Sequence, residues 1–107
     1  MDSVLDLIAV TQSQDENGVW QSAESTRQVF CRVDSVTRRE FYDAGRNGLN
    51  PEFKFTVFAA DYGGELLVGY RAMRYSVYRT YHIPGTDYME LYVERKGGTN
   101  GSTENAG

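Results

Sequence analysis

One cysteine and one histidine among 107 residues exclude most of the chemistry that small domains are built around. No internal disulfide can form, and the Cys/His clusters that hold zinc have no members to spare. No apolar run approaches the roughly 20 residues that span a bilayer, and no basic start followed by an apolar stretch marks a signal peptide. Lysine is almost missing as well: nine of the eleven basic residues are arginine. Fifteen acids outnumber them, and the net charge of −4 opposes tight, sequence-independent DNA binding, which needs clustered cations against phosphates. A cytoplasmic or virion setting is the expectation, with no membrane partner and no oxidising compartment.

The chain has a 40% hydrophobic and 24% charged composition, ordinary for one globular domain with a modest core. Short segments alternate with period 2. Val4 to Thr11 places Val4, Ile8 and Val10 on one face and Leu5 and Leu7 on the other, a strand covered on both sides. Asp15-Glu16-Asn17-Gly18 is a turn in which Asn-Gly supplies two positive-φ residues for a tight hairpin, with Val19-Trp20 starting the return. Gln21 to Thr26 is polar and is expected to twist or bulge along an edge. Val29, Cys31 and Val33 alternate cleanly, as do Phe53, Phe55, Val57 and Ala59 up to a hairpin signal at Asp61-Tyr62-Gly63-Gly64. Met73, Tyr75, Val77 and Tyr81 form another set, and Met89, Leu91 and Val93 the last.

Only Asp34 to Leu49 departs from this pattern. Thr37 and Glu40 have capping-box spacing, Val36 and Phe41 staple spacing, and Gly45 or Gly48 can supply a left-handed terminus. Two turns of helix do not persist alone; Phe41, Tyr42 and Ala44 are the groups available to pack. The expected fold is mainly β: a small antiparallel β-barrel of about six strands, closed so that no edge is left open, with one short α-helix against one opening. The barrel domain occupies 1–96. Residues 97–107 lack any apolar anchor and are expected to be disordered.

No catalytic constellation is visible. His82 sits at a strand end without a nucleophile beside it, and Cys31 lies on an apolar face as a small buried hydrophobe. Asp15-Glu16 and Asp61/Glu65 flank turns, where solvation explains them. No metal and no cofactor is expected, and the chain is not expected to be an enzyme. Arginines and aromatics interleave from Arg71 to Tyr81, as on single-strand-binding surfaces, but alternation splits them between two faces.

Taken in order, D-E-N-G-V-W, V-T-R-R-E-F-Y-D-A-G, N-P-E-F-K-F-T-V-F, D-Y-G-G-E, Y-S-V-Y-R-T-Y and E-L-Y-V-E-R-K resemble the head closure, or head–tail joining, proteins of long-tailed bacteriophages. The likeness covers about residues 3 to 96. Ser35 to Gly45, Asn50-Pro51-Glu52, Asp61-Tyr62 and Tyr78-Arg79-Thr80-Tyr81 carry it most. It implies a structural virion protein of the neck, assembled with copies of itself into a ring, usually twelvefold. The ring would lie below the portal-bound adaptor protein and above the tail tube, and retain packaged duplex DNA without reading its sequence. A stopper needs a segment that reaches the axis. Arg38 to Glu52 can extend, out and back, on the order of 20–25 Å at about 3.3 Å per residue, so Arg46, Asn47, Gly48, Leu49, Asn50 and Pro51 are the candidate channel loop. Arg38, Arg39, Tyr42 and Arg79, with the hairpin tips at Asn17 and Asp61-Tyr62, are candidate contacts within the ring or to neighbouring layers, the tips facing either the adaptor above or the tail below. Arginines opposite Glu90 and Glu94 are candidate bridges between subunits. The competing function is a small single-stranded nucleic-acid-binding β-barrel.

Overall fold

The computed structural model describes residues 2–95; the 97–107 tail, Met1 and Lys96 lie outside the described residues. Six strands follow in chain order: β1 (Ser3–Gln14), β2 (Trp20–Ser35), β3 (Pro51–Phe58), β4 (Leu67–Tyr70), β5 (Met73–His82) and β6 (Tyr88–Arg95). The helix α1 (Arg38–Gly45) joins β2 to β3, and a 3-10 turn at Ala59–Asp61 follows β3. The strands close into an antiparallel barrel in the order β1-β2-β3-β6-β5-β4. Two meanders, β1-β2-β3 and β4-β5-β6, are joined along β3–β6 and β1–β4.

The interior is solid. Leu7, Val68, Phe55, Val57, Leu91 and Val93 point inward and are fully buried. Phe53, Phe55, Tyr70 and Tyr75 fill one end with ring centroids 5.2–6.3 Å apart in edge or tilted contacts. At the other end the partly buried Tyr62 packs on the core. A barrel this narrow is filled by its own side chains, and truncating Phe55 to alanine costs about 3–5 kcal/mol on that account.

Several sequence expectations change. In β1 it is Leu5 and Leu7 that face the core; Val4 and Val10 are exposed outside, and only Ile8 is buried on that outer side. β2 is one 16-residue strand with no bulge against β1. Its polar 21–26 stretch runs straight because each residue has a partner in β1. The hairpin turn uses one positive φ, at Gly18, not two. Asp15 organises it instead, accepting from the N–H groups of Asn17 and Val19 at 2.9 Å each. Asp61 to Gly64 is not a hairpin tip. β3 pairs with β2 and β6, so this loop crosses the barrel end on its way to β4. In β5 a register shift between Val77 and Arg79 changes the alternation, and Tyr81 ends up exposed.

The helix ends are built as the spacing indicates. Thr37 Oγ1 accepts from the Glu40 N–H and Glu40 Oε1 from the Thr37 N–H, at 3.1 and 2.7 Å. Leu49 N–H donates to Ala44 O and Gly48 N–H to Gly45 O, with Gly48 at φ +77°, a Schellman ending. The helix does not cover an opening: it lies against the outer wall at β3, β5 and β6. Ala44 alone of its residues is buried; Phe41 and Tyr42 stand in solvent.

Candidate functional site

The candidate residues fall at opposite ends of a molecule 48 Å long. One end is an arm. β1 pairs with β4 only over Asp6–Ile8, and β2 pairs with β3 only over Arg32–Ser35. Beyond Ile8↔Thr26 the hairpin is a two-stranded ribbon of six further residue pairs, Ala9–Gln14 against Trp20–Ser25. At 3.3–3.4 Å per residue it projects roughly 20 Å. Asn17 is at its tip, and Val10, Val19 and the 66% exposed Trp20 lie along it.

At the arm's root, loop 59–66 closes the barrel. Arg27 Nη2 stands 3.0 Å from Glu65 Oε2, and Tyr62 donates its hydroxyl to Glu65 O at 2.6 Å. Burial opposes ionisation of Glu65, but hydrogen bonds from its own and the Gly63 N–H and from Arg27 hold its carboxyl below the ordinary range. Tyr62 is therefore part of the barrel's closure, while Asp61 is half-buried in the 3-10 turn.

The opposite end carries α1 and the loop after it. Glu40 reaches the wall: its Oε2 is 2.9 Å from the Tyr92 hydroxyl and 3.7 Å from Lys54 Nζ. Glu90 completes the cluster, 2.8 Å from the same hydroxyl and 3.7 Å from the same ammonium. Arg79 covers the Tyr92 ring, its guanidinium 4.6 Å from the centroid. Burial and the two carboxylates drive the Tyr92 phenol far up, whereas hydrogen bonds and Lys54 outweigh burial and hold Glu40 low. Two carboxylates, a lysine and a tyrosine meet here, and through Glu40 they fasten the helix to the wall.

The candidate channel loop is likewise held. Asn50 N–H donates to Glu94 Oε1 at 3.1 Å, Asn47 Nδ2 to Asp43 O at 3.1 Å, and Arg46 pairs with Asp43 at 2.8 Å. Pro51 is buried as the first residue of β3. Leu49 lines the cleft beside Tyr78 and Tyr92. Arg38 and Arg39 are exposed with Phe41 and Tyr42, and Arg39 lies 3.9 Å from Asp43. Glu90 and Glu94 are engaged within the chain rather than facing arginines across strands.

His82 is exposed at the end of β5, and Cys31 is sealed in the core with its thiol pushed up to about 11 by burial. Among the described residues no group of three or more His, Cys, Asp or Glu is placed to hold a metal ion, and no helix is long and apolar enough to cross a membrane. Sequence reasoning missed the arm. Its signal is the absence of a breaker in the twelve residues before the turn and the sixteen after it, which the polar composition of 21–26 masks. No protein-family model and no curated protein matches the chain.

Proposed function

We propose that this chain is a ring-forming structural protein of a bacteriophage neck, a layer between the portal-bound adaptor and the tail that closes the DNA channel and gives the tail a docking surface. One observation carries the reading: a solid barrel bears two separate exposed features at opposite ends, the arm at one and the capped helix with its loop at the other. A layer protein needs that division, because it must meet one partner above and another below. The order of motifs that resembles the head closure proteins runs through both ends, and its helix is capped at each terminus. The acidic balance suits a channel that must let duplex DNA pass without adhering to it.

In this reading Arg38, Arg39, Phe41 and Tyr42 meet a ring neighbour or a partner layer, and residues 46–51 lie nearest the lumen. The protein works in the virion, after assembly in the host cytoplasm. The test is to mix the purified chain with the portal and adaptor proteins encoded alongside it and image the product by electron cryomicroscopy. An annular layer beneath the adaptor supports the reading; a chain that never joins the portal assembly overturns it. Titration with labelled single-stranded DNA at rising salt examines the competing function. Micromolar affinity that falls steeply with salt would favour that barrel instead.

A further inference from the structure

We propose that copies of this chain associate through their arms, edge to edge and head to tail, the outer edge of β1 in one copy pairing with the outer edge of β2 in the next.

The backbone register shows which groups of the arm point outward. Asp15 N–H donates to Val19 O, so that pair is hydrogen-bonded within the hairpin. Antiparallel pairs alternate, which makes Gln14↔Trp20 and Gln12↔Ser22 non-hydrogen-bonded pairs. The N–H and C=O groups of these residues therefore point away from the hairpin, along both of its outer edges. Among the described residues no strand other than its hairpin partner pairs with β1 over Ala9–Gln14 or with β2 over Trp20–Cys31. A two-stranded ribbon with both edges in water is marginal by itself. Pairing β1 of one copy with β2 of the next satisfies both edges of every arm. A two-fold β2–β2 contact would leave each β1 edge open.

The chemistry of the edges favours a second copy as the occupant. Soluble proteins blunt exposed edges with lysine, proline, bulges or short length. Here the ribbon is long, unbulged, and free of lysine and proline. Glu24 is the one charged residue in Ala9–Gln14 and Trp20–Ser25, in a chain that is 24% charged, and Arg74 clamps it bidentately at 2.8 Å. Two copies at net −4 repel through their barrels, so the neutral strips are where they approach most cheaply. The repeat is heterologous and propagates, with all arms pointing the same way, which is the geometry of a ring or an open filament. Added salt should strengthen it by screening the barrels and the Glu16 tips. This pairing is read from the arm alone and does not depend on a neck location.

Proline at an outward N–H removes no bond of the isolated hairpin but blocks the edge. Gln12→Pro closes the β1 edge and Ser22→Pro the β2 edge. Sedimentation velocity at increasing protein concentration, with and without added salt, should show the wild type self-associating and each variant monomeric. An equimolar mixture of the two variants should give a heterodimer and nothing larger, because one good edge remains on each. Gln12→Lys and Ser22→Lys repeat the experiment without proline's fixed φ, and circular dichroism verifies that each variant is folded. A wild type that stays monomeric throughout overturns the proposal, and so does Gln12→Pro alone forming dimers, the mark of two-fold β2 pairing. Recruitment to the portal is scored separately, so loss of arm pairing and loss of the neck function are distinguishable.

Discussion

The Tyr92 hydroxyl lies 2.9 Å from Glu40 Oε2 and 2.8 Å from Glu90 Oε1, so a single phenol ties α1 to the outer surface of β6. The helix has little else. Ala44 is its one buried residue, and eight residues of helix do not hold together without tertiary contacts. The polar cluster around Tyr92 therefore decides whether the helix stays on the wall and whether the loop behind it keeps its place.

Acid should loosen that attachment. Glu40 has a folded pKa below its unfolded value, so its charged form stabilises the fold. The contribution is fully present above the ordinary carboxylate range and is lost as pH falls through the depressed value. Glu65 acts with the same sign at the other end. Glu40→Gln and Tyr92→Phe should each cost about 1–3 kcal/mol at neutral pH, with a double mutant less destabilised than the sum. Urea melts at neutral and acidic pH check this: Glu40→Gln should lose less stability on acidification than wild type. An identical pH profile would show that Glu40 is not the group concerned.

The β4–β5 turn should be improvable. Tyr70 pairs with Met73 across a two-residue loop, and both loop residues are left-handed, Arg71 at φ +50° and Ala72 at +64°. Such loops favour Asn-Gly, because a side chain with a full Cβ pays about 1–2 kcal/mol there. Arg71→Asn combined with Ala72→Gly should raise stability by about 1 kcal/mol, measured as a higher thermal midpoint. Arg71 also rests its guanidinium 5.2 Å from the Tyr70 ring, and Arg71→Asn loses that contact, so Ala72→Gly alone is the cleaner gain.

Cys31 should report global unfolding. Its side chain is fully buried and burial pushes its thiol up to about 11, so little thiolate exists at neutral pH and none is accessible. Labelling by a thiol reagent should be slow in the native protein and should accelerate with urea along the main unfolding transition. Fast labelling without denaturant would mean that the barrel opens locally between β1 and β2.

Local patterns of the sequence were legible where one face of a strand is buried and where a cap needs particular residues. Phe55 and Val57, Leu91 and Val93, and the Thr37–Glu40 box are of that kind. Strand number and closure followed from counting such segments. The partner of each strand did not, because β3 reads the same whether β4 or β6 lies beside it. The Gly63-Gly64 pair signals a turn but not what the turn connects. β1 misled for a simple reason: Leu5, Leu7, Ile8 and Val10 are apolar on both faces, and only the closed barrel selects Leu5 and Leu7 for its interior. The contacts that place the helix, Glu40–Tyr92 and Glu40–Lys54, join residues up to 52 positions apart and leave no local pattern.

The loop at residues 46–50 should have an identifiable latch. Residues 46–50 are held by the Schellman bonds at Gly48 and Leu49, by the Arg46 and Asn47 side chains on Asp43, and by the Asn50 N–H to Glu94 Oε1 bond of 3.1 Å. The first two belong to the helix end and persist with it; the third ties the loop to β6 and is the one whose loss frees the loop without unfolding the barrel. Glu94→Ala should lower the thermal midpoint by only a few degrees, since an exposed hydrogen bond contributes about 0.5–1.5 kcal/mol. It should speed amide hydrogen exchange at 47–50 several-fold while exchange in β3 and β6 stays slow. If the loop is the gate of the proposed stopper, virions carrying Glu94→Ala should assemble complete necks yet lose packaged DNA on mild heating sooner than wild type. Faster exchange with DNA fully retained would separate loop mobility from gating and remove residues 46–51 from the channel-closing role.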